Sequence, residues 1–238
     1  MNIDGLKFTL EEQGSAILDS VYTTLELQQI VACIKEASQN DDNLPKTKDL
    51  FAIRQLLNTI PQLKKFLFNQ KLLSILSNIY STPYFLTKAI YFDKPSTSNW
   101  FVPYHQDLSI SVNQKTDSSD YTHWTYKRGQ YGVQPPLSIL ENTTTVRIHL
   151  DDTNAHNGAL RVIPTSHLKG VIRVDKREWN IQEEYICNVK KGGVMFMKPL
   201  TLHASNRTTN NKQRRVIHLE FCNQMLVSPL EWLEYQKI

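Results

Sequence analysis

Cysteine is scarce in this chain, and the three that occur, Cys33, Cys187 and Cys222, are widely separated and form no CxxC pair. This pattern argues against a disulfide framework and against a thiolate zinc site, and it favours a reducing compartment. Long apolar runs are also missing, because no segment approaches the roughly 18 apolar residues of a membrane span. Met1 to Gln13 show no basic stretch followed by an apolar run, so no signal peptide is expected. We therefore predict a cytoplasmic protein without a membrane partner.

Acidic residues are absent from one long stretch, residues 185–219, in which every charged side chain is Lys or Arg. The net charge of +4 is too mild to indicate nucleic acid, and these cations are not interleaved with aromatic residues as in a nucleic-acid groove. Two interpretations remain open. The stretch is either a solvated basic face or an electropositive entrance for a dianionic cosubstrate.

The length of 238 residues, with 40% hydrophobic and 10% aromatic residues, is enough for one domain, 1–238, with a sizeable core. Helical patterns occupy 1–83. Thr23 and Glu26 form a capping box before an amphipathic helix, Leu50–Leu57 and Lys71–Tyr80 show the same periodicity, and Pro61 is predicted to open a short helix. We expect these helices to buttress a sheet, and a monomer is the default expectation.

Short segments rich in β-branched and aromatic residues follow, separated by turn signals. The predicted strands are Tyr84–Phe92, Thr143–Leu150, Ala159–Ile163, Val171–Val174, Tyr185–Val189, Gly193–Met197 and Val216–Phe221. Asn157-Gly158 is predicted to form a hairpin turn between two of them. Helices followed by many short strands indicate a mainly β protein, a barrel or sandwich over 84–225, with a helical buttress.

One polar segment, at about 112–142, matches neither pattern. A loop of about 30 residues inside a compact domain is rare unless it is functional or disordered. The segment carries Tyr121, His123, Trp124, Tyr126 and Tyr131. Because aromatic side chains are costly to leave in water, we interpret it as an active-site lid whose residues could contact substrate. The alternative is an excursion that packs its aromatic residues on the barrel exterior.

His105-Gln106-Asp107 is the segment that suggests chemistry. Alternation along an extended strand places His105 and Asp107 on one face, with their α-carbons roughly 7 Å apart. With His203 from another strand they would form a two-histidine, one-carboxylate face, the ligand set of non-haem Fe(II) oxygenases. His149-Leu150-Asp151 and His218-Leu219-Glu220 have the same spacing, however. Proximity to the aromatic segment favours His105 only slightly.

Several longer stretches carry more information than these spacings. They are Phe92-Asp93-Lys94, Asn99–Leu108, Gln134-Pro135-Pro136, Arg147–Asp152, Asn157–Pro164, Ser166-His167, His203–Ser205 and Arg214–Phe221. In this order they resemble the phytanoyl-CoA dioxygenase family over about Tyr84 to Phe221. One departure is Thr165, which stands where the family commonly has glycine after proline, and it bears on a turn rather than on the metal.

The resemblance implies a double-stranded β-helix, that is, a jelly-roll or cupin-like barrel, and a dioxygenase that uses Fe(II), O2 and 2-oxoglutarate. By position, His105, Asp107 and His203 would bind the iron and Arg214 would hold the far carboxylate of 2-oxoglutarate. These four are the predicted catalytic residues. The resemblance also makes His149 a barrel residue rather than a ligand.

Arg214 and Arg215 alternate along a predicted strand, so only one of them can face the barrel interior. The offset from His203 favours Arg214, with Arg215 facing outward. Weaker candidates for contact with the cosubstrate are Lys94, Asn99, Gln106 and Arg147, chosen because they are polar and near the predicted site.

The predicted function is oxidation, with hydroxylation as the expected reaction, of an unactivated C–H bond in a small molecule, with release of succinate and CO2. The carboxylate of Asp107 supports this reaction class, because related halogenases have a small residue there so that chloride can bind. One alternative is a non-catalytic β-helix protein that binds metal or 2-oxoglutarate. Another is a cupin-like hydrolase or isomerase with a different divalent metal. Neither the substrate nor the oligomeric state is predicted.

Overall fold

The computed structural model describes residues 3–40, 51–94, 101–127, 129–173, 183–210 and 212–238. The helices are α1 (Ile3–Gln13), α2 (Thr24–Asn40), α3 (Leu56–Thr59), α4 (Lys64–Leu67), α5 (Gln70–Ile79) and α6 (Leu137–Glu141), with 3₁₀ helices at Pro61–Leu63, Ala155–Asn157 and Ser166–Lys169. The strands are β1 (Ser15–Leu18), β2 (Phe51–Arg54), β3 (Phe85–Lys94), β4 (Val102–His105), β5 (Ile110–Val112), β6 (Thr122–Lys127), β7 (Gln130–Gln134), β8 (Thr143–His149), β9 (Leu160–Val162), β10 (Tyr185–Ile186), β11 (Val194–Met197), β12 (His203–Ser205), β13 (Arg214–Cys222) and β14 (Gln236–Lys237). Within these ranges, no helix combines the length and the hydropathy needed to cross a bilayer.

Two antiparallel sheets dominate the molecule. The larger has the strand order β1-β11-β8-β13-β3-β14, with β2 also paired to β3, and the smaller has the order β10-β9-β12-β4. Neighbouring strands are mostly distant in sequence, so the chain crosses between the sheets instead of running through successive hairpins. The predicted double-stranded β-helix is confirmed, with open sheet edges rather than a continuous closed barrel.

Strand β8 shows how the large sheet separates its two faces. Val146 and Ile148 are fully buried in a hydrophobic core that also contains Leu6, Ile30 and other residues of the N-terminal helices. Because side chains alternate along a strand, Arg147 between them points the opposite way, toward the smaller sheet. The helices therefore buttress the outer face of the large sheet, as predicted.

The capping box of α2 is confirmed in both directions. The Thr23 backbone N–H donates to Glu26 Oε2 at 2.7 Å, and the Glu26 backbone N–H donates to Thr23 Oγ1 at 3.3 Å. The predicted short helix at Pro61 is present as a 3₁₀ helix, and the helix predicted over Lys71–Tyr80 is α5. Local signals were sufficient here because each helix carries its own cap or apolar stripe.

Three local predictions are wrong. Phe51–Arg54, predicted as part of a helix, is strand β2 and pairs antiparallel with β3, because the edge of the sheet satisfies its backbone groups. Asn157-Gly158 does not form a hairpin, because β8 and β9 belong to different sheets. Residues 171–173 form no strand, and the last residue of that prediction, 174, lies outside the described residues. Helix α1 and strand β1 were not predicted.

The predicted long loop at about 112–142 is instead built from β6, β7 and α6, and β5, β7 and β6 form a third sheet. It has a core of its own, in which Tyr121, Val133 and Trp232 are buried. Nearly every residue of β6 is exposed, so its sequence lacks the apolar alternation by which a half-buried strand is recognised.

Thr165, the departure from the family pattern, precedes the last 3₁₀ helix. Its φ of 63° lies in the left-handed region, which favours glycine. The position therefore suits the glycine that the family commonly has there, and this chain places a β-branched residue in the same conformation.

Candidate metal centre

His105, Asp107 and His203 converge at one point between the two sheets. His105 and His203 lie directly opposite each other on the paired strands β4 and β12, with ring centroids 4.2 Å apart. Asp107 Oδ1 lies 3.9 Å from His105 Nε2, and Asp107 Oδ2 lies 3.8 Å from His203 Nε2. The three ligand atoms lie within 4.8 Å of one another, so this group could hold one metal ion.

Asp107 follows the end of β4, and its direction depends on the backbone there. Its own N–H donates to Pro199 O at 2.9 Å. The adjacent Gln106 points away from the metal ligands. Its amide nitrogen donates to Gly170 O at 2.9 Å and to Leu200 O at 2.6 Å, and its amide oxygen accepts from Ile172 N at 2.7 Å.

Gln106 was predicted as a cosubstrate contact, but the structure places its amide among backbone groups. Its amide is engaged by backbone groups, and it is not among the residues that line the cavity beside the metal ligands. Its role is to tie the segment after β4 to two neighbouring loops. It thereby supports the position of Asp107.

The two histidines present the same ring nitrogen to the centre. His105 Nδ1 lies 2.9 Å from Pro103 O, and His203 Nδ1 lies 2.9 Å from Thr201 O. Because a carbonyl oxygen only accepts hydrogen bonds, each Nδ1 carries the proton and donates. Each Nε2 is left with a lone pair directed toward Asp107, the tautomer that a metal-ligating histidine needs.

The electrostatics favour the same protonation states. Burial raises the pKa of Asp107, but His203, and less strongly His218 and Lys88, outweigh it and lower that pKa to about 2. Burial lowers the pKa of His203 to about 4, and Asp107 opposes this shift only in part. At neutral pH the group therefore offers a carboxylate and a neutral imidazole, the forms that bind metals.

A cavity of about 280 Å³ adjoins the three residues. It lies between the sheets, since both contribute to its wall. The lining residues are Phe92, Lys94, Val102, His105, Asp107, Arg147, Leu160, His203, Ser205, Arg214 and His218. Among them Asp107 is the acid, whereas Lys94, Arg147 and Arg214 are cations. The cavity is therefore suited to an anionic ligand.

Arg214 and Lys94 occupy paired positions on β13 and β3 at one end of this cavity. Arg214 is buried, its Nη1 donates to Gly158 O, and its Nε is buried without a hydrogen-bond partner among the described residues. Lys94 Nζ donates to Asn206 O at 3.4 Å, and burial, with the nearby Arg214, lowers the pKa of Lys94 to about 8. A guanidinium remains charged when buried, so this end strongly favours an anion.

Gly158 has no side chain, and this allows Lys94 and the backbone of Asn206 to approach it closely. Its φ is 82°, and a Cβ placed there would lie 3.1 Å from Asn206 O and 3.2 Å from Lys94 Nζ. Ser205 also lines this end, with its Oγ donating to Gly158 O at 3.0 Å. Sequence reasoning did not single out Ser205, although it lies two residues after His203 on one strand and so shares its face.

The competing histidine–carboxylate pairs do not form metal sites. Asp151 turns outward and is held by Arg215, whose Nε and Nη2 donate to its two oxygens at 2.8 and 2.7 Å. His149 is buried, with its Nδ1 2.8 Å from Thr153 Oγ1. His218 Nε2 lies 3.0 Å from Glu220 Oε1 without a third ligand. In the part of the chain that the structure describes, the one such cluster is that of His105.

The structure places the other predicted site residues differently from one another. Arg147 lines the cavity, and Asn99 lies outside the described residues. None of Tyr121, His123, Trp124, Tyr126 and Tyr131 is among the cavity-lining residues. The sheet formed by β5, β6 and β7 instead packs Tyr121 into its own core and leaves Tyr126 63% exposed, so the lid stays a prediction.

The basic stretch 185–219 is mostly a solvated face. Lys190, Lys191, Arg207 and Lys212 are exposed, whereas Arg214 is buried in the cavity wall. The two interpretations of this stretch thus apply to different residues. Arg214 belongs to the cavity wall, whereas the four exposed cations are its neighbours only along the sequence.

The comparisons with known proteins agree with this geometry. Residues 10–216 match the sequence profile of phytanoyl-CoA dioxygenase (PhyH). A search of curated protein sequences found no match. Because the profile covers most of the chain, including His105, Asp107, His203 and Arg214, it bears on the family and not only on the fold.

Solved structures of similar fold include three described as follows. The epimerase SnoN in complex with Fe3+, alpha ketoglutarate and nogalamycin RO superposes with a TM-score of 0.67 at 10% identity, over 99% of this chain and 94% of that chain. The alpha ketoglutarate-dependent carbocyclase SnoK has a TM-score of 0.65 at 16% identity, over 92% and 83%. HygX from Streptomyces hygroscopicus, with nickel and 2-oxoglutarate bound, has a TM-score of 0.64 at 12% identity, over 92% and 86%. These identities establish likeness of fold, and the profile match establishes the family: the chain belongs to the phytanoyl-CoA dioxygenase family.

Proposed function

We propose that the protein is an Fe(II)- and 2-oxoglutarate-dependent dioxygenase that hydroxylates an unactivated C–H bond of a small molecule, with release of succinate and CO2. The observation that carries this proposal is the convergence of His105, Asp107 and His203 beside the buried cation Arg214. Family membership supports it, as do the iron, nickel and 2-oxoglutarate named for SnoN and HygX.

The donor set suits Fe(II). His105, Asp107 and His203 would hold the ion through two imidazole nitrogens and one carboxylate, the ligand set of non-haem Fe(II) oxygenases. None of the described cysteines lines the cavity or belongs to the metal-binding cluster, so no thiolate competes for the ion. When bound, iron and 2-oxoglutarate supply the oxidising chemistry that the side chains lack.

Arg214 provides the orientation that such a cosubstrate requires. Its planar guanidinium can hold a carboxylate from two sides, and its buried Nε has no partner among the described residues. Lys94 and Ser205 line the same end, so a carboxylate there would meet a second cation and a hydroxyl group. A dicarboxylate held at this end would lie in the same cavity as the metal ligands.

The remaining walls define the reaction environment. Phe92, Val102 and Leu160 line the cavity with apolar surface that a substrate's carbon frame could contact. Asp107 retains a carboxylate at the position where related halogenases leave room for chloride. This retention supports hydroxylation over halogenation as the reaction of this chain.

Anaerobic addition of Fe(II) and 2-oxoglutarate tests the proposal. We expect a visible charge-transfer band in the wild type and in His149→Ala, and its loss in His105→Ala and His203→Ala, because loss of a ligand should weaken iron binding by at least about 100-fold. His149→Ala is the control matched to His203→Ala, since each removes a buried imidazole. The site is wrong if all three variants keep the band.

Turnover separates the remaining alternatives. Succinate formation above background, dependent on O2, excludes the non-catalytic binding protein. Product formation without an O2 requirement would instead indicate a hydrolase or isomerase. Screening candidate substrates for 2-oxoglutarate consumption then addresses the hydroxylation step itself.

A further inference from the structure

A second cationic group, centred on Arg147, lines the same cavity at a different level from Arg214. In the large sheet Arg214 pairs with Lys94, whereas Arg147 pairs with His218. Arg214 and His218 are four residues apart on β13, which corresponds to roughly 13 Å along a strand. The two arginines therefore start from different strand levels, although Arg147 is near enough to Arg214 to lower its pKa.

Arg147 is held by a chain of hydrogen bonds that does not neutralise it directly. Its Nη1 lies 3.1 Å from His218 Nδ1, and because a guanidinium only donates, His218 Nδ1 accepts. His218 Nε2 therefore carries the proton and donates to Glu220 Oε1 at 3.0 Å. Glu220 Oε1 also accepts from Lys88 Nζ at 2.8 Å. The negative charge of Glu220 is thus shared with Lys88, and a neutral imidazole separates it from Arg147.

The rest of the guanidinium lacks a partner. Arg147 Nε is buried and makes no hydrogen bond within the described residues, and the ion pairs formed by those residues do not include Arg147. A partly buried cation that forms no ion pair is costly to a protein, and Asp107 acts on Arg147 only from beyond ion-pair distance. An anionic ligand beside the Arg147 guanidinium would therefore stabilise it.

The proposed cosubstrate does not supply that anion. A 2-oxoglutarate dianion has one carboxylate for Arg214 and Lys94 and one for the metal. With iron, Asp107 and 2-oxoglutarate in place, the cavity still holds an excess of positive charge, because Lys94, Arg147 and Arg214 all line it. Arg147 and the metal ligands line the same cavity, and Asp107 partly opposes the lowering of the Arg147 pKa by burial.

We propose that Arg147 binds a carboxylate of the primary substrate, so that the substrate is a small carboxylic acid or amino acid. This inference rests on the proposed function and names the substrate class for the same site. A carboxylate fits because the planar guanidinium of Arg147, which lines the cavity, can donate parallel hydrogen bonds to it. His218 is a positioning residue, which acts by fixing the guanidinium.

Matched probes test this assignment without knowledge of the substrate. Propionate and its neutral counterpart propionamide are titrated by calorimetry into anaerobic protein saturated with Fe(II) and 2-oxoglutarate. We expect the wild type to bind propionate at least about tenfold more tightly than propionamide, since charge-assisted hydrogen bonds are about twice as strong as neutral ones. In Arg147→Gln this preference disappears, while 2-oxoglutarate affinity changes less than about threefold.

The control variants distinguish the possible roles of the residue. Arg147→Lys keeps the charge and is expected to keep part of the preference for propionate. It replaces Arg147→Gln as the test variant if Arg147→Gln does not fold. His218→Phe removes the acceptor and should weaken propionate binding without loss of the charge-transfer band.

Two results would overturn the inference. A wild type without preference for propionate has no anion site at Arg147. A loss of 2-oxoglutarate affinity in Arg147→Gln as large as that in Arg214→Gln assigns Arg147 to the cosubstrate. Failure of the wild type to form the charge-transfer band refutes the proposed function itself, whereas a band without the propionate preference refutes only this inference.

Discussion

His105-Gln106-Asp107 and His149-Leu150-Asp151 have the same spacing, and in both segments the strand ends at the histidine. Their carboxylates nevertheless take opposite directions. Asp107 turns into the cavity and meets His203, whereas Asp151 turns outward and meets Arg215. The segment with Asp107 thus contributes to a candidate metal centre, whereas the segment with Asp151 forms an ion pair with Arg215.

The difference arises from the backbone beyond each strand. Asp107 N–H donates to Pro199 O, which ties its segment to the loop before β12 and therefore to His203. Leu150 N–H donates to Arg215 O, which ties the other segment to the start of β13. A short sequence spacing predicts a shared face only while the strand continues. Beyond the end of the strand, hydrogen bonds to distant backbone groups decide the direction of the carboxylate.

The largest expected effect compares the two carboxylates. Asp107→Asn removes a charged ligand and should weaken Fe(II) binding by at least about 100-fold, whereas Asp151→Asn should change it less than about threefold. Anaerobic Fe(II) titration measures both. Equal losses in the two variants would show that the two segments do not differ in function. Circular dichroism of each variant controls for folding.

A smaller effect is expected for the two arginines that accompany these carboxylates. Arg214→Gln should weaken 2-oxoglutarate binding by at least about 30-fold, because removal of one partner from a buried charge pair costs about 2 kcal/mol or more. Arg215→Gln removes the same charge from the outer ion pair and should leave the affinity within about threefold. Titration of the charge-transfer band measures both constants. A larger loss in Arg215→Gln would reverse the assignment of the inward-facing arginine.

The smallest effect concerns pH. Burial, then Arg214, lower the pKa of Lys94 to about 8, so Lys94 is a cation at pH 7 and loses its proton as the pH rises through 8. The affinity for 2-oxoglutarate should therefore fall by up to about tenfold between pH 7 and pH 9. Lys94→Met should bind more weakly at pH 7 and show a flatter profile. If the 2-oxoglutarate affinities of the wild type and of Lys94→Met fall in parallel as the pH rises, Lys94 is not the titrating group.

Several features could be predicted because their causes are local. The capping box of Thr23 and Glu26 and the apolar stripe of α5 need no distant partner. Strand β2 could not be predicted, because β3 supplies its hydrogen bonds. The segment at 112–142 was misread for a related reason: the exposed strand β6 carries no apolar pattern of its own.

The sequence by itself determined the chemical inventory: the two histidines and one carboxylate with donor types suited to iron, and the alternation that places Arg214 and Arg215 on opposite faces. Only the tertiary structure decided which histidine–carboxylate pair meets a second histidine, and that Gln106 serves the backbone rather than a ligand. It also brought Arg147 beside His218, since these residues meet across paired strands. The physical reason is that a side chain's partners come from strands remote in sequence, and the pairing of those strands is a property of the whole fold.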